Sequence, residues 1–296
     1  MKTIFYIFLL LMFGHATAIA QKPIVLTDDE VKFGNTMCPG VWVEIPEVSS
    51  EVVKSNWKKA IEKGSKSKAI VTGNEITIFG AIYKDVTELP VNIFSSVADK
   101  DSIVRLFAAV ELSRDVFTKT GSAEHDQLKK ALKQFAKDQY VKVAKDQLSA
   151  QEATLKNMEK DLASMRKEKE KLEKEIQNAN TSISQETYKI ATAEKEISTT
   201  NSTLENRTGE VNQMADGKEK KAAESELKSM EKKVKDLQKS NVTSESRITK
   251  SNTVIEENTA AIALNETNQE ELGVKINKQK MQVANYTDKL KTIESY

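Results

Sequence analysis

Two hydrophobic rhythms divide the chain. Up to about residue 121, apolar residues come in short runs with period two. From Val141 onward they recur at alternating steps of three and four. The first rhythm predicts half-buried strands and the second one face of a long helix. "VWVEIP" (Val41–Pro46) alternates and reads as a strand. "KAIVTG", "NEITIFGAIYKDV", "PVNIFSSVA" and "SIVRLFAAVEL" follow as further strands, with Gly73-Asn74 as a hairpin turn. Asn35–Gly40 and the acidic "TDDE" of Thr27–Glu30 read as loops, the latter with carboxylates open to a cation. Ser49 or Ser50 caps a helix whose inward residues are Val53, Trp57 and Ile61, and Gly64 ends it. Strands joined by short turns and accompanied by one or two helices predict a small antiparallel α+β head over 21–121, with Trp42, Trp57, Phe79, Phe94 and Phe107 in its core.

The second rhythm is a seven-residue repeat sustained over about nine or ten heptads, the signature of a coiled coil. Its first series of seam positions includes Leu155, Leu162, Leu172, Ile176, Ile183, Ile190, Ile197 and Leu204. The second includes Leu227, Val234, Leu237, Ile248, Ile255, Ile262, Leu272, Ile276 and Leu290. No proline follows Pro90, so nothing interrupts a helix there. Continuing the first series predicts seam positions at Lys218, Lys221 and Ser225, but the second begins at Leu227, two residues late. Stutters insert four residues and stammers three, so a slip of two fits neither. Asp216-Gly217 offers a turn instead, glycine tolerating the positive φ favoured just past a helix end. Leu148 and Tyr286 stand equally far from Gly217 on either side.

The 122–296 segment is therefore expected to be an antiparallel coiled-coil hairpin. Helix one runs over about 125–214, the turn over about 215–218 and helix two over about 219–295. At 1.5 Å per residue such an arm is about 100 Å long. Reflection about Gly217 sets Ile176 near Asn258, Ile183 near Ser251 and Leu204 near Met230. Polar seam residues (Asn241, Ser244, Ser251, Asn258, Asn265 and Gln279) cost stability and fix register. A straight parallel dimeric rod is the alternative. Val254, Ala261 and Leu264 widen the stripe, as a broad seam or as a strip for a partner helix. Before the seam, Leu128, Leu132, Phe135, Tyr140 and Val141 form a wider apolar face expected to pack on the head sheet.

Composition changes this picture in two places. The Lys, Glu, Ser, Thr and Asn content of the last two thirds resembles that of disordered chains, yet the periodicity argues for helix. Forty-five basic against forty-four acidic residues leave a net charge of only +1, so nothing in the balance points to nucleic acid. The N-terminus, "MKTIFYIFLLLMFGHATAIAQ", combines one lysine, an apolar run and Ala18-Ile19-Ala20. It reads as a signal peptide over 1–20, too short to span a bilayer. An uncleaved anchor is the competing reading. No membrane-length apolar run follows, so the mature protein is expected to be soluble, exported, and periplasmic or extracellular.

Catalytic patterns are missing. The single cysteine, Cys38, forms no internal disulfide. It reads as a buried small apolar residue, or else as an intermolecular link. After signal removal His125 is the remaining histidine, and no phosphate loop, metal pattern or nucleophile elbow occurs. No cofactor is expected, and the chain is not expected to be an enzyme. Six Asn-x-Ser/Thr triplets occur, three of them in or beside the predicted seam, where a glycan would oppose packing.

"VWVEIP" followed by "VKSNWKKAIEK", a short sheet, "EHDQLKKALKQFAKDQYVKVAKDQL" and a Lys/Glu-rich coiled coil resembles a group of uncharacterised exported coiled-coil proteins of Bacteroidetes-type Gram-negative bacteria. The resemblance covers most of the mature chain. It implies compartment and architecture, and no site residues. Asp101-Ser102-Ile103 likewise resembles the O-glycosylation triplet of such exported proteins. Together these readings imply a structural or interaction protein, its arm acting as spacer or docking element toward a protein partner or a second copy. A ligand-binding head on a stalk is the alternative.

Overall fold

The computed structural model describes residues 22–101 and 103–296; the signal-peptide segment and Ser102 of the Asp-Ser-Ile triplet lie outside them. The chain divides into two compact units. The sheet unit takes in residues up to Leu155 together with Lys278–Tyr296, and the helical unit is Lys156–Asn277. The sheet unit is thus larger than the 21–121 head read from sequence.

The sheet unit contains β1 (Leu26–Phe33), β2 (Thr36–Pro46), α1 (Ser50–Glu62), β3 (Ile70–Thr72), β4 (Glu75–Ile82), β5 (Pro90–Lys100), β6 (Ile103–Ser113) and β7 (Val116–Phe117). The strands lie in the order β1-β2-β6-β5-β4-β3, and β7 pairs with β6. All pairings are antiparallel, with Val41 opposite Ala108 and Ile93 opposite Val110. Gly34 and Gly73, at φ 60° and 61°, turn the β1–β2 and β3–β4 hairpins.

Alternation decides which side chains point at the helices. Val41, Val43, Ile45, Ile76, Ile78, Val91, Ile93, Val97, Val104 and Leu106 form one buried cluster with Val53, Trp57 and Ile61 of α1. The long helix α2 (Ala123–Asn212) contributes Leu128, Ala131, Leu132 and Ala136 to the same core, as the wide apolar face before the seam requires. Ser49 caps α1, its Oγ accepting from the Val52 amide at 3.4 Å. The buried Trp57 Nε1 donates to Ser95 Oγ at 2.8 Å, so neither polar atom is left unpaired in the core.

The opposite sheet face carries Phe33, Cys38, Phe107, Ala109 and Phe117, with Trp42 and Phe94 packed against them. Gly40 is required here. A Cβ at that position falls 2.3 Å from the Ala108 carbonyl oxygen and 2.6 Å from the Phe107 ring.

Three sequence expectations change. Asn35–Gly40 is not a loop: β2 begins at Thr36, and Pro39 sits opposite Glu30, before the pairing with β6 starts at Val41. This leaves the proline without a second neighbouring strand that needs its missing N–H. "TDDE" lies within β1, where edge-strand carboxylates are satisfied by side chains from elsewhere. Phe79 is 53% exposed rather than core. The β4–β5 register shifts between Ile78 and Ala81, with Gly80 at φ 65°, so Ile78 and Ala81 are buried and Phe79 points away.

In the helical unit α2 runs beside α3 (Lys218–Glu294). Its contacts run in reverse order: Glu168 to Asn265, Glu175 to Asn258, Glu186 to Ser244, Glu196 to Lys233 and Arg207 to Glu226. The two helices are antiparallel partners within one chain. Threonines and serines that would otherwise favour turns donate to the carbonyl four residues earlier, as Thr181 to Gln177, Thr192 to Tyr188 and Thr199 to Lys195.

The helices end at Asn212 and resume at Lys218, close to the expected turn. Gly217 does not supply positive φ. Its carbonyl accepts the Lys221 amide at 3.3 Å, so it opens α3 rather than closing α2. Asp216 Oδ1 accepts from Lys220 Nζ at 2.9 Å.

Candidate functional site

Among the described residues no group of His, Cys, Asp and Glu can hold a metal ion, and no helix is long and apolar enough to cross a membrane. The single cysteine is free and fully buried. Burial, helped by the Glu111 charge, pushes its thiol up to about 11. That environment suppresses the thiolate and places Sγ out of reach of a second chain.

His125 is buried, and its Nε2 lies 3.0 Å from Asp28 Oδ1. Lys129 Nζ donates to the other oxygen, Asp28 Oδ2, at 2.7 Å. Desolvation raises the Asp28 pKa, but the bonds and charges of Lys129 and His125 outweigh it and hold the carboxyl below its usual value. Asp29 accepts from Trp42 Nε1 at 3.1 Å. The acidic stretch is thereby tied to its own sheet unit.

A second constellation joins the turn after β2 to the last turns of α3. Lys289, its side chain 3% exposed, donates to Glu47 Oε2 at 2.5 Å and to Gln147 Oε1 at 3.0 Å. Tyr140 Oη and Gln147 Nε2 donate to the same carboxylate at 3.3 and 3.0 Å. Burial raises the Glu47 pKa, and Lys289 and Gln147 more than offset that, so it stays below its usual value. Burial and the Glu47 charge push the Tyr140 phenol up. Sequence reading missed Glu47 and Lys289. Both look like ordinary solvated charges, and the signal that pairs them is separated by almost the whole described chain.

In the helical unit the predicted seam residues Leu155, Leu162, Leu172, Ile176, Ile183, Ile190, Ile197, Leu204, Leu227, Val234, Leu237, Ile248, Ile255, Ile262, Leu272 and Leu290 are each half-buried (Leu155 and Leu290 belonging to the sheet unit), and Ile276 is buried. Between them stand polar rungs. Glu186, a seam position, accepts from Lys189 (2.7 Å), Ser244 (2.7 Å) and Arg247 (3.2 Å). Those donors, Lys189 foremost, draw its pKa down to about 2. Asn258 and Asn265 donate to Glu175 and Glu168 at 3.0 and 3.3 Å, and Lys169 pairs with Glu266 at 2.7 Å.

Of the widened stripe, Val254 is 38% and Leu264 61% exposed, and Ala261 is exposed. Val254 borders an open groove with Glu175, Asn178, Ala179, Lys250 and Ser251. On the sheet face opposite α1, ring contacts run from exposed Phe79 through Phe94, Phe33 and Phe107 to Trp42, which Arg105 covers at 4.7 Å. No protein-family model matches this chain, and neither does any curated protein or solved structure.

Proposed function

We propose that this chain is a non-enzymatic exported interaction protein of the cell envelope, whose α2–α3 pair is a coiled-coil hairpin used as a spacer or docking element for a protein partner. The observation that carries this reading is the ordered set of interhelical contacts from Glu168–Asn265 to Arg207–Glu226. Registered pairing within one chain produces a stiff rod without a second copy. The signal-like N-terminus and the resemblance to exported coiled-coil proteins support the compartment. The engagement of Asp28, Glu47 and Glu186 in ion pairs that bridge elements supports a structural use of charge, as does a thiol that burial and the Glu111 charge keep protonated.

In-cell crosslinking followed by mass spectrometry tests the proposal. Crosslinks from the lysines of the helical unit to an envelope protein are expected. Recovery of isolated monomers alone, under conditions that crosslink known envelope complexes, contradicts it. A ligand-binding sheet domain is the second reading, favoured by Phe79 standing exposed at the end of the ring series.

A further inference from the structure

We propose that the last turns of α3, from about Tyr286 to Glu294, form a releasable strap on the sheet unit, gated by the Glu47–Lys289 pair and able to open while the sheet stays folded. Three observations carry it. First, the apolar contacts that hold the strap are a small cluster of their own, separate from the main core. Ile293 packs on Tyr140 and Ala144, with Leu290, Val141 and Tyr296 around them. Opening this segment therefore leaves the large cluster under α1 intact.

Second, the gate is a charge pair with a buried cation, the Lys289 side chain being 3% and the Glu47 side chain 27% exposed. Lys289 sits between the Tyr140 and Tyr286 rings, 5.8 and 5.7 Å from their centroids, with Glu47 and Gln147 as its oxygen partners. Taking the Lys289 ammonium out of water costs much of what the attraction returns, so such a pair fixes a geometry more than it adds stability. Removing the Glu47 charge leaves the buried Lys289 ammonium uncompensated, whereas removing Lys289 strips the partly exposed Glu47 of its strongest donor.

Third, Glu47 occupies φ 59° without being glycine. Such a conformation persists when surrounding contacts over-determine it. The contacts on its side chain come from Tyr140 and Gln147 of α2 and from Lys289 of α3. Release of the strap removes the strongest of them and lets the turn before Ser49, the α1 cap, relax. Docked strap with strained turn, and free strap with relaxed turn, are the two states. What opening exposes is an acidic and aromatic seat (Glu47, Tyr140 and Ala144) fitted to a helix bearing lysine one residue before leucine and four before isoleucine, as in Lys289, Leu290 and Ile293.

Native-state hydrogen exchange on the full chain, read by mass spectrometry, tests this. In the wild type, amides of residues 287–294 should exchange about 100-fold or more faster than those of β5 and β6, the mark of local opening. Lys289→Met should speed exchange at 287–294 and at 46–52 by a further factor of about 10 to 100, the loss of hydrogen bonds to a charged group, with β5 and β6 unchanged. Glu47→Gln, which keeps the shape and part of the hydrogen bonding, should give about tenfold in the same peptides; it decides the question if Lys289→Met does not fold. Unchanged exchange at 287–294 in the folded variants overturns the proposal. So does an equal rise through β5 and β6, which would make the strap part of one cooperative core.

Discussion

At the scale of single residues, glycine, tryptophan and cysteine each take a place that their chemistry dictates. Gly40 is the sharpest case, because backbone on the neighbouring strand occupies the space of a Cβ. Gly40→Ala must push β2 off β6 or move the Phe107 ring. A loss of about 1–3 kcal/mol is expected, the usual cost of overpacking. Both tryptophans, Trp42 and Trp57, belong to the sheet unit, so their fluorescence during urea unfolding reports this unit alone. An unchanged midpoint contradicts the close approach of β2 and β6. Residue identity also explains where sequence reading fell short. Phe79 has the apolarity of a core residue, but the Gly80 bulge that turns it outward is set by pairing with β5 and by the Gly80 amide donating to Asn92 Oδ1 at 3.0 Å. A β4 sequence read alone carries no trace of that partner.

At the scale of elements, the amphipathic pieces were legible: β5, β6, α1 with its Ser49 cap, and the two long helices within one or two residues of their ends. The two-residue β7 was missed, and so was the whole of β1. Its exposed residues include Asp28, Asp29 and Glu30, and charge on a short segment reads as loop. Here His125, Lys129 and Trp42, distant in sequence, satisfy two of those carboxylates. The polar rungs of α2 and α3 make a prediction about acid. Glu186 has a folded-state pKa drawn down from 4.5 to about 2. A carboxyl whose pKa is lower when folded stabilises above its unfolded value, and that stabilisation is lost as pH falls through the folded value. The thermal midpoint of the helices, followed at 222 nm, should therefore be level above about pH 5 and should fall between about pH 4.5 and 2. Glu186→Gln should lower the midpoint at pH 7 and flatten the fall. Identical slopes in the two proteins would mean that Ser244, Arg247 and Lys189 do not hold the carboxylate as described.

At the scale of the whole molecule, the sequence carried the reversal of the chain near Gly217 but for a reason that needs amending. The phase slip and the matched stripes pointed to a turn, and the turn is there; the glycine opens α3 instead of closing α2. Reflection about that point placed Asn258 beside Ile176, and Asn258 indeed bonds the adjacent Glu175. The size of the sheet unit was not legible. Ile293 continues the spacing of Leu290, but the Glu47–Lys289 pair that helps bring Lys278–Tyr296 into that unit leaves no periodic signal.

Intrachain antiparallel pairing of α2 and α3 is the claim on which the functional proposal stands. Zero-length carbodiimide coupling of a 1:1 mixture of ¹⁴N- and ¹⁵N-labelled protein tests it most directly. Lys169 lies 2.7 Å from Glu266, and Lys233 lies 2.5 Å from Glu196, so both isopeptide links should form in isotopically pure pairs. Mixed-isotope links between these residues, or long-range links from Lys169 to partners far from Glu266, would contradict the account.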